Sequence, residues 1–206
     1  MKRARAPFQS PAPRAKVAKK KMKSELAMYK NINNNVRLVK RHADQGTITC
    51  VLASDTFGAF TFQLNNVPKN GEFTQMYDQC KINAVNLTFY PQLTEVSNLG
   101  PITVQNARIF TAIDYTDAAI PTALNDVREY ENCEVNSIVK EFSVYIDKPK
   151  FTDTTGSLRS GYIATSSPGT LHYGLKYAVE TPNPGTSGAY TFRVEATYYM
   201  SFKAVK

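Results

Sequence analysis

The sequence predicts an all-β protein. The expected fold is a single eight-stranded jelly roll of two four-stranded antiparallel sheets, with a disordered basic N-terminal arm and a short helix near residues 72–79. Three observations carry this prediction. From about Gly46 onward, apolar residues recur at every second position in one run after another, the period of strands with one buried face. Turn residues such as Asn70-Gly71, Gly100-Pro101, Pro149, Gly156, Pro168-Gly169 and the span from Pro182 to Gly188 separate those runs. None of the eleven prolines interrupts a strong strand. At 206 residues the chain suits one domain with an appendage.

The appendage is residues 1–41, and the domain is residues 42–206. Residues 1–23 hold nine cations (Lys2, Arg3, Arg5, Arg14, Lys16, Lys19, Lys20, Lys21 and Lys23) and no carboxylate. Pro7, Pro11 and Pro13 break this segment, and a polar run from Asn31 to Asn35 follows it. With so few large apolar residues it cannot offset its ordering entropy by burial. Met22, Leu26 and Tyr29 would share one helical face, but a solvated arm is the preferred reading. Arg37, Lys40 and Arg41 carry the positive strip up to the domain. The rest of the chain is nearly neutral, with 16 of the 25 basic residues against 17 acidic ones.

Strands are then expected in order. Ile48, Cys50 and Leu52 alternate, as do Phe60, Phe62 and Leu64. Phe73, Met76, Tyr77 and Cys80 instead fall at i, i+3, i+4 and i+7, the stripe of a helix. Val85, Leu87 and Phe89 form the next strand, and Ile82 is out of phase with them, which a bulge would explain. Arg108 to Asp114 is apolar on both parities, as a doubly covered strand is. A weaker run spans Tyr130 to Val135, and Ile138, Phe142, Val144 and Ile146 follow. Leu171, Tyr173, Leu175, Tyr177 and Val179 alternate, leaving His172, Lys176 and Glu180 on the polar side. The last run is the longest, with Tyr190, Phe192, Val194, Ala196, Tyr198, Met200 and Phe202 on one face. Tyr145 and Tyr199 are the main aromatics off the buried parity.

Several functions are disfavoured. No stretch approaches a membrane span, and the charged N-terminus lacks the apolar run of a secretory signal. Cys50, Cys80 and Cys133 are too few and too scattered for a zinc site or a disulfide framework, and they read as core thiols. His42 and His172 are the only histidines and lack the spacing of a metal pair. The chain has no phosphate-binding glycine loop and no G-x-S-x-G elbow. We therefore expect no enzyme, no cofactor, no metal and no membrane partner. Asp114 with Asp117 could hold a hard cation, but turn capping is the preferred reading, as it is for Asp153. Asn86-Leu87-Thr88 matches a glycosylation triplet inside a strand, a chance match.

The arm carries the functional signal. Flexible lysines and arginines neutralise phosphates and release counterions, giving sequence-independent, salt-sensitive binding. The candidate nucleic-acid-binding and nuclear-import residues are the nine cations of residues 1–23 with Arg37, Lys40 and Arg41. Lys19-Lys20-Lys21 alone could also be only an import signal or an aid to solubility.

Residues 60–91 sharpen this picture. They read Phe62-x-Leu64-Asn65-x-x-Pro68, Glu72-Phe73, Tyr77-Asp78-Gln79-x-Lys81-Ile82, then Val85, Phe89 and Pro91. This pattern resembles the capsid proteins of circovirus-like, Rep-encoding circular single-stranded DNA viruses. Asp114 with Asp117, Lys148-Pro149 and the terminal run Tyr199 to Phe202 add to the resemblance. The Lys-dominated, proline-containing arm, the absence of Trp, and Cys80 at an often aromatic position depart from it. The resemblance implies a sixty-subunit icosahedral shell, basic arms turned onto single-stranded DNA, and nuclear import of the coat protein. The implied partners are further copies of the chain, viral single-stranded DNA and host nuclear import receptors, with a cell-surface receptor not readable. The implied locations are the virion and, during assembly, the host nucleus. A non-assembling single-strand-binding β-protein and the coat protein of a small single-stranded RNA satellite virus share the same layout.

Overall fold

The computed structural model describes residues 36–51, 53–92, 107–181 and 189–205. The nine cations of residues 1–23, and the helical spacing of Met22, Leu26 and Tyr29, lie outside them. Eleven strands are described. They are β1 (Val36–Val51), β2 (Thr56–Phe62), β3 (Tyr77–Pro91), β4 (Arg108–Ile113), β5 (Glu134–Ser137), β6 (Phe142–Asp147), β7 (Phe151–Thr152), β8 (Leu158–Arg159), β9 (Ile163–Ala164), β10 (His172–Val179) and β11 (Ala189–Val205). A 3-10 turn (Leu64–Asn66) and two short helices, α1 (Asn70–Met76) and α2 (Leu124–Arg128), complete the elements.

One sheet has the order β1-β11-β3-β6, with β9 added to β3, and the other has the order β2-β10-β4-β5. All pairings are antiparallel. This is the expected jelly roll of two four-stranded sheets, extended by β9 and by a β7–β8 ribbon. Its core lies between the sheets, where the inward residues of β11 (Tyr190, Phe192, Val194, Ala196, Tyr198, Met200 and Phe202) are all buried. The expected bulge is present: Tyr199 pairs with Ala84 but Met200 with Ile82, so Asn83 is the extra residue and Ile82 regains the core.

Four expectations are corrected. First, the domain begins at Val36 rather than residue 42, because β1 pairs with β11 from Val36↔Lys203 to Val51↔Ala189. Arg37, Lys40 and Arg41 are therefore strand residues, not arm residues. Second, the helix ends at Met76, and Tyr77 and Cys80 already belong to β3. Third, the weak run is displaced to Glu134–Ser137, and Ile138 is buried in the turn before β6 rather than on it. Fourth, His172 is buried rather than on the polar face. The reason is Gly174, which shifts the register between Tyr173↔Thr61 and Leu175↔Phe60, so parity inverts before it. A Cβ there would lie 2.2 Å from Cε2 of Phe62, so the bulge requires glycine.

The outer face of the β2-β10-β4-β5 sheet has its own small core. Phe110, Ala112 and Ala178 on the strands pack with Val127, Leu124, Tyr130 and Cys133 from the segment between β4 and β5. This cover explains why β4 is apolar on both parities, and why Lys176, on the outward parity of β10, is buried.

Candidate nucleic-acid interface

Three of the expected phosphate-binding residues fall on β1. Arg37 and Lys40 are exposed, and Arg41 is half-buried. Arg41 sits on the inward parity beside Val39 and Ala43, where its guanidinium lies 5.2 Å from the ring centroid of Phe73 and Nη1 donates to the carbonyl of Lys40 at 3.2 Å. Phe73 is placed by α1 and stacks on Phe202 of β11 at 4.7 Å between centroids, with Tyr77 on the same ring at 5.4 Å. The stretch Glu72-Phe73 through Tyr77 thus anchors both the end of β11 and an arginine of β1. Arg41 is held by packing as much as by charge, and only Arg37 and Lys40 of the three present an exposed charge.

Lys40 lies on the outward face and pairs across the ladder with Tyr199, over whose ring its Nζ sits at 5.5 Å. Two further lysines share that end of the face. Lys81 pairs with Ser201, and Lys203 pairs with Gln79 and lies 4.1 Å over the ring of Tyr162. Composition gave no means of finding Lys81 and Lys203, because they are isolated in sequence and meet Lys40 only through the β1-β11-β3 register. His42 is on the same face, with Nδ1 3.0 Å from Oγ1 of Thr197. Acidic residues on the face are matched by cations. Asp147 lies 3.5 Å from Lys148, and Arg193 lies 3.7 Å from Asp44 and 3.1 Å from Glu195.

The sequence matches the circovirus capsid protein family over residues 12–206. The chain belongs to that family. No curated protein sequence matches it. Among solved structures it is similar to a decameric BFDV capsid protein (TM-score 0.54, 12% identity, 82% of this chain and 100% of that chain). It is also similar to the Tobacco necrosis virus structure (TM-score 0.57, 10% identity, 84% and 97%) and to that of Cucumber necrosis virus (TM-score 0.57, 12% identity, 83% and 57%). At such identities these likenesses concern the fold, and they place the two sheets among viral capsid jelly rolls.

The remaining polar clusters of this circovirus-family capsid protein are structural. Asp114 and Asp117 do not frame an empty cation site, because the Lys176 ammonium lies between them. Its Nζ is 2.7 Å from Oδ2 of Asp114 and 2.9 Å from Oδ1 of Asp117. Asp114 also accepts from the backbone N–H of Thr116 at 2.8 Å and from the Tyr130 hydroxyl at 2.8 Å. Burial would raise its carboxyl, but the Lys176 ammonium and the Thr116 and Tyr130 donors outweigh that and hold it at about 2. The same carboxylates push the Lys176 ammonium upward against its burial. Asp153 caps its turn as expected, accepting from Thr155 N–H at 2.8 Å and Ser157 N–H at 3.0 Å. Burial pushes the Cys50 and Cys80 thiols up to about 11, which suits inert core residues. Among the described residues no cluster of three or more His, Cys, Asp or Glu could hold a metal, and no helix is long and apolar enough to cross a membrane.

Proposed function

We propose that this capsid protein self-assembles into a small icosahedral shell of about sixty subunits and packages single-stranded DNA through its basic arm. The observation that carries the reading is the family match over residues 12–206 joined to nine cations without a carboxylate in residues 1–23. About sixty such arms would bring on the order of 500 positive charges to phosphate, enough to condense part of a small genome and to make assembly salt-dependent. A nearly neutral domain lets subunits approach without strong self-repulsion. The same Lys19-Lys20-Lys21 run would engage host nuclear import receptors, so the protein would pass through the nucleus before residing in the virion.

Light scattering on a sizing column, with absorbance at two wavelengths, tests the reading. A particle of about 1.4 MDa, near sixty copies of the 23.0 kDa chain, that carries nucleic acid at low salt is expected. A monomer or dimer that binds single strands yet never grows across salt and pH would overturn it in favour of a non-assembling binding protein.

A further inference from the structure

The β2-β10-β4-β5 sheet carries a cleft that the nucleic-acid reading leaves unused. It opens between the turn ahead of β2 and helix α2, and its volume is about 540 Å³. That size falls in the range of small-molecule sites, about 300–1,000 Å³. Phe57 and Leu124 supply its apolar lining, and both are half-buried against the small outer core. Ser54, Asp55, Asn125 and Arg128 supply its polar lining. The two charged groups are held in place. Asp55 Oδ1 accepts from the backbone N–H of Thr181 at 2.8 Å, which ties the turn to the chain leaving β10. The Arg128 guanidinium lies 4.3 Å from the ring centroid of Phe110, and its Nη2 donates to Oε1 of Glu180 at 3.4 Å. A ligand therefore meets polar groups that are already ordered, which lowers the cost of binding.

The charges decide what the cleft can take. Glu180 balances Arg128, whereas Asp55 pairs with no described cation, so the cleft is net negative. Phosphates, sulfates and nucleic-acid strands are repelled. The first turn of α2 gives them no foothold either. Asp126 Oδ2 already accepts from the N–H and hydroxyl of Thr122 at 2.8 and 3.0 Å, and from the Ala123 N–H at 2.9 Å. The remaining polar groups are of both kinds. Asp55 offers acceptor oxygens, Arg128 offers N–H donors beyond the one spent on Glu180, and Asn125 and Ser54 offer both. The Ser54 hydroxyl and the Asn125 amide have no hydrogen-bond partner among the described residues. A phosphate only accepts and an ammonium only donates, but a hydroxyl does both. The lining therefore suits a neutral molecule that has several hydroxyls and one apolar face.

We propose that this cleft binds one uncharged pyranose ring of a glycan. The C–H face of the ring covers Phe57 and Leu124, while neighbouring hydroxyls donate to Asp55 and accept from Asn125 and Arg128. A pyranose combines an apolar face with a border of hydroxyls in a rigid frame, so it loses little freedom on binding. The same geometry sets a preference. A uronic acid or a sulfated sugar would bring its negative charge toward Asp55, and the net negative cleft rejects it. The inference stands apart from the packaging reading, because it uses neither the basic arm nor the lysines of the β1-β11-β3-β6 face.

The test is saturation-transfer NMR on the full chain. The probes are methyl glucoside and methyl galactoside, with methyl glucuronide and methyl galacturonide as charged counterparts. Saturation should pass to the ring protons of at least one neutral glycoside, with a dissociation constant of millimolar order. The matching uronide should bind about 5-fold more weakly at low salt, and the difference should shrink as salt rises. Asn125→Ala removes an exposed amide and should weaken binding about 2- to 10-fold. Asp55→Asn keeps an acceptor for the Thr181 N–H, removes the charge and should weaken binding about 10-fold. Both variants should keep the particle mass and circular dichroism of the wild type. No transfer to either neutral glycoside would overturn the inference, as would equal affinity in the wild type and both variants. Tighter binding of the uronides would also overturn it, by placing the contact at cations elsewhere. So would a loss of binding found only together with altered mass or circular dichroism, because the substitution would then act on the fold or on a subunit contact.

Discussion

Replacing Lys176 by Met tests whether the ionic clasp on the outer face of the β2-β10-β4-β5 sheet secures the segment between β4 and β5. Lys176 is paired with Ala59 on one side and Ala112 on the other, so small neighbours leave room for its chain to run outward. The residue is 8% exposed, and Asp114 is 4% exposed. Met keeps most of the volume and removes the charge. Asp114 would keep its Thr116 and Tyr130 donors but lose its counter-ion, leaving a buried carboxylate poorly compensated. Breaking a buried pair from one side typically costs about 3–5 kcal/mol. The displacement of the Asp114 carboxyl from 3.8 to about 2 corresponds to roughly 2–3 kcal/mol of net preference for the charged form. That figure already includes the opposing burial cost, so the loss on removing Lys176 should be at least comparable. We expect Lys176→Met to lower stability by about 3 kcal/mol, or roughly 6–12 °C in Tm for a chain of this size.

The assay is urea unfolding followed by circular dichroism on dissociated subunits, with the double variant Lys176→Met/Asp114→Asn alongside. Asn is uncharged, so the double variant should recover much of the loss. The pH profile gives a second readout. A carboxyl held below its unfolded value adds stability that is present above about pH 4 and lost as pH falls through about 2. In Lys176→Met that loss should begin at higher pH. A single variant within about 1 kcal/mol of wild type, or a double variant worse than the sum of its parts, would refute the reasoning.

Further outcomes follow from other positions. Gly174→Ala should cost about 1–3 kcal/mol or more, read by thermal unfolding, because its Cβ would meet the fully buried Phe62 ring at 2.2 Å. Burial holds the His172 imidazole below its ordinary value, against a hydrogen bond of 3.1 Å between Nδ1 and the Thr170 carbonyl and the opposing pull of the Phe62 backbone. The unfolded chain therefore takes up a proton first, and stability should fall as pH drops below about 6.5, a slope that His172→Phe should flatten in pH-dependent melting. Changing Lys19, Lys20 and Lys21 together to Ala should reduce the slope of log affinity for single strands against log salt by about 2.

The legible parts of this fold are those where one physical rule acted alone. The parity of β11 runs unbroken from Tyr190 to Phe202, and the out-of-phase Ile82 revealed the bulge because the residues on both sides of it are apolar. Legibility failed where tertiary contacts reversed a local pattern. Val36 to Arg41 read as arm because Arg37, Lys40 and Arg41 dominate its composition, yet β11 extends far enough to pair with it. Arg41 tolerates an inward position only because α1 places Phe73 against it. Gly174 hid the inversion at His172, since a glycine in an alternating run looks like a gap in the pattern. Lys176 sat on the polar parity as expected, but the residues that bury it come from Tyr130 and the Asp114–Asp117 turn, more than forty positions earlier.

The two faces also differ in how their cations are paired. On the β2-β10-β4-β5 sheet, the cation meets two carboxylates and a tyrosine hydroxyl of its own chain, so its charge is consumed internally. On the β1-β11-β3-β6 sheet, Lys40 lies over the Tyr199 ring and Lys203 over the Tyr162 ring, and neither is ion-paired with a described carboxylate. Lys40, Lys81 and Lys203 come together on one face only because β1, β11 and β3 are held in register by the core beneath them.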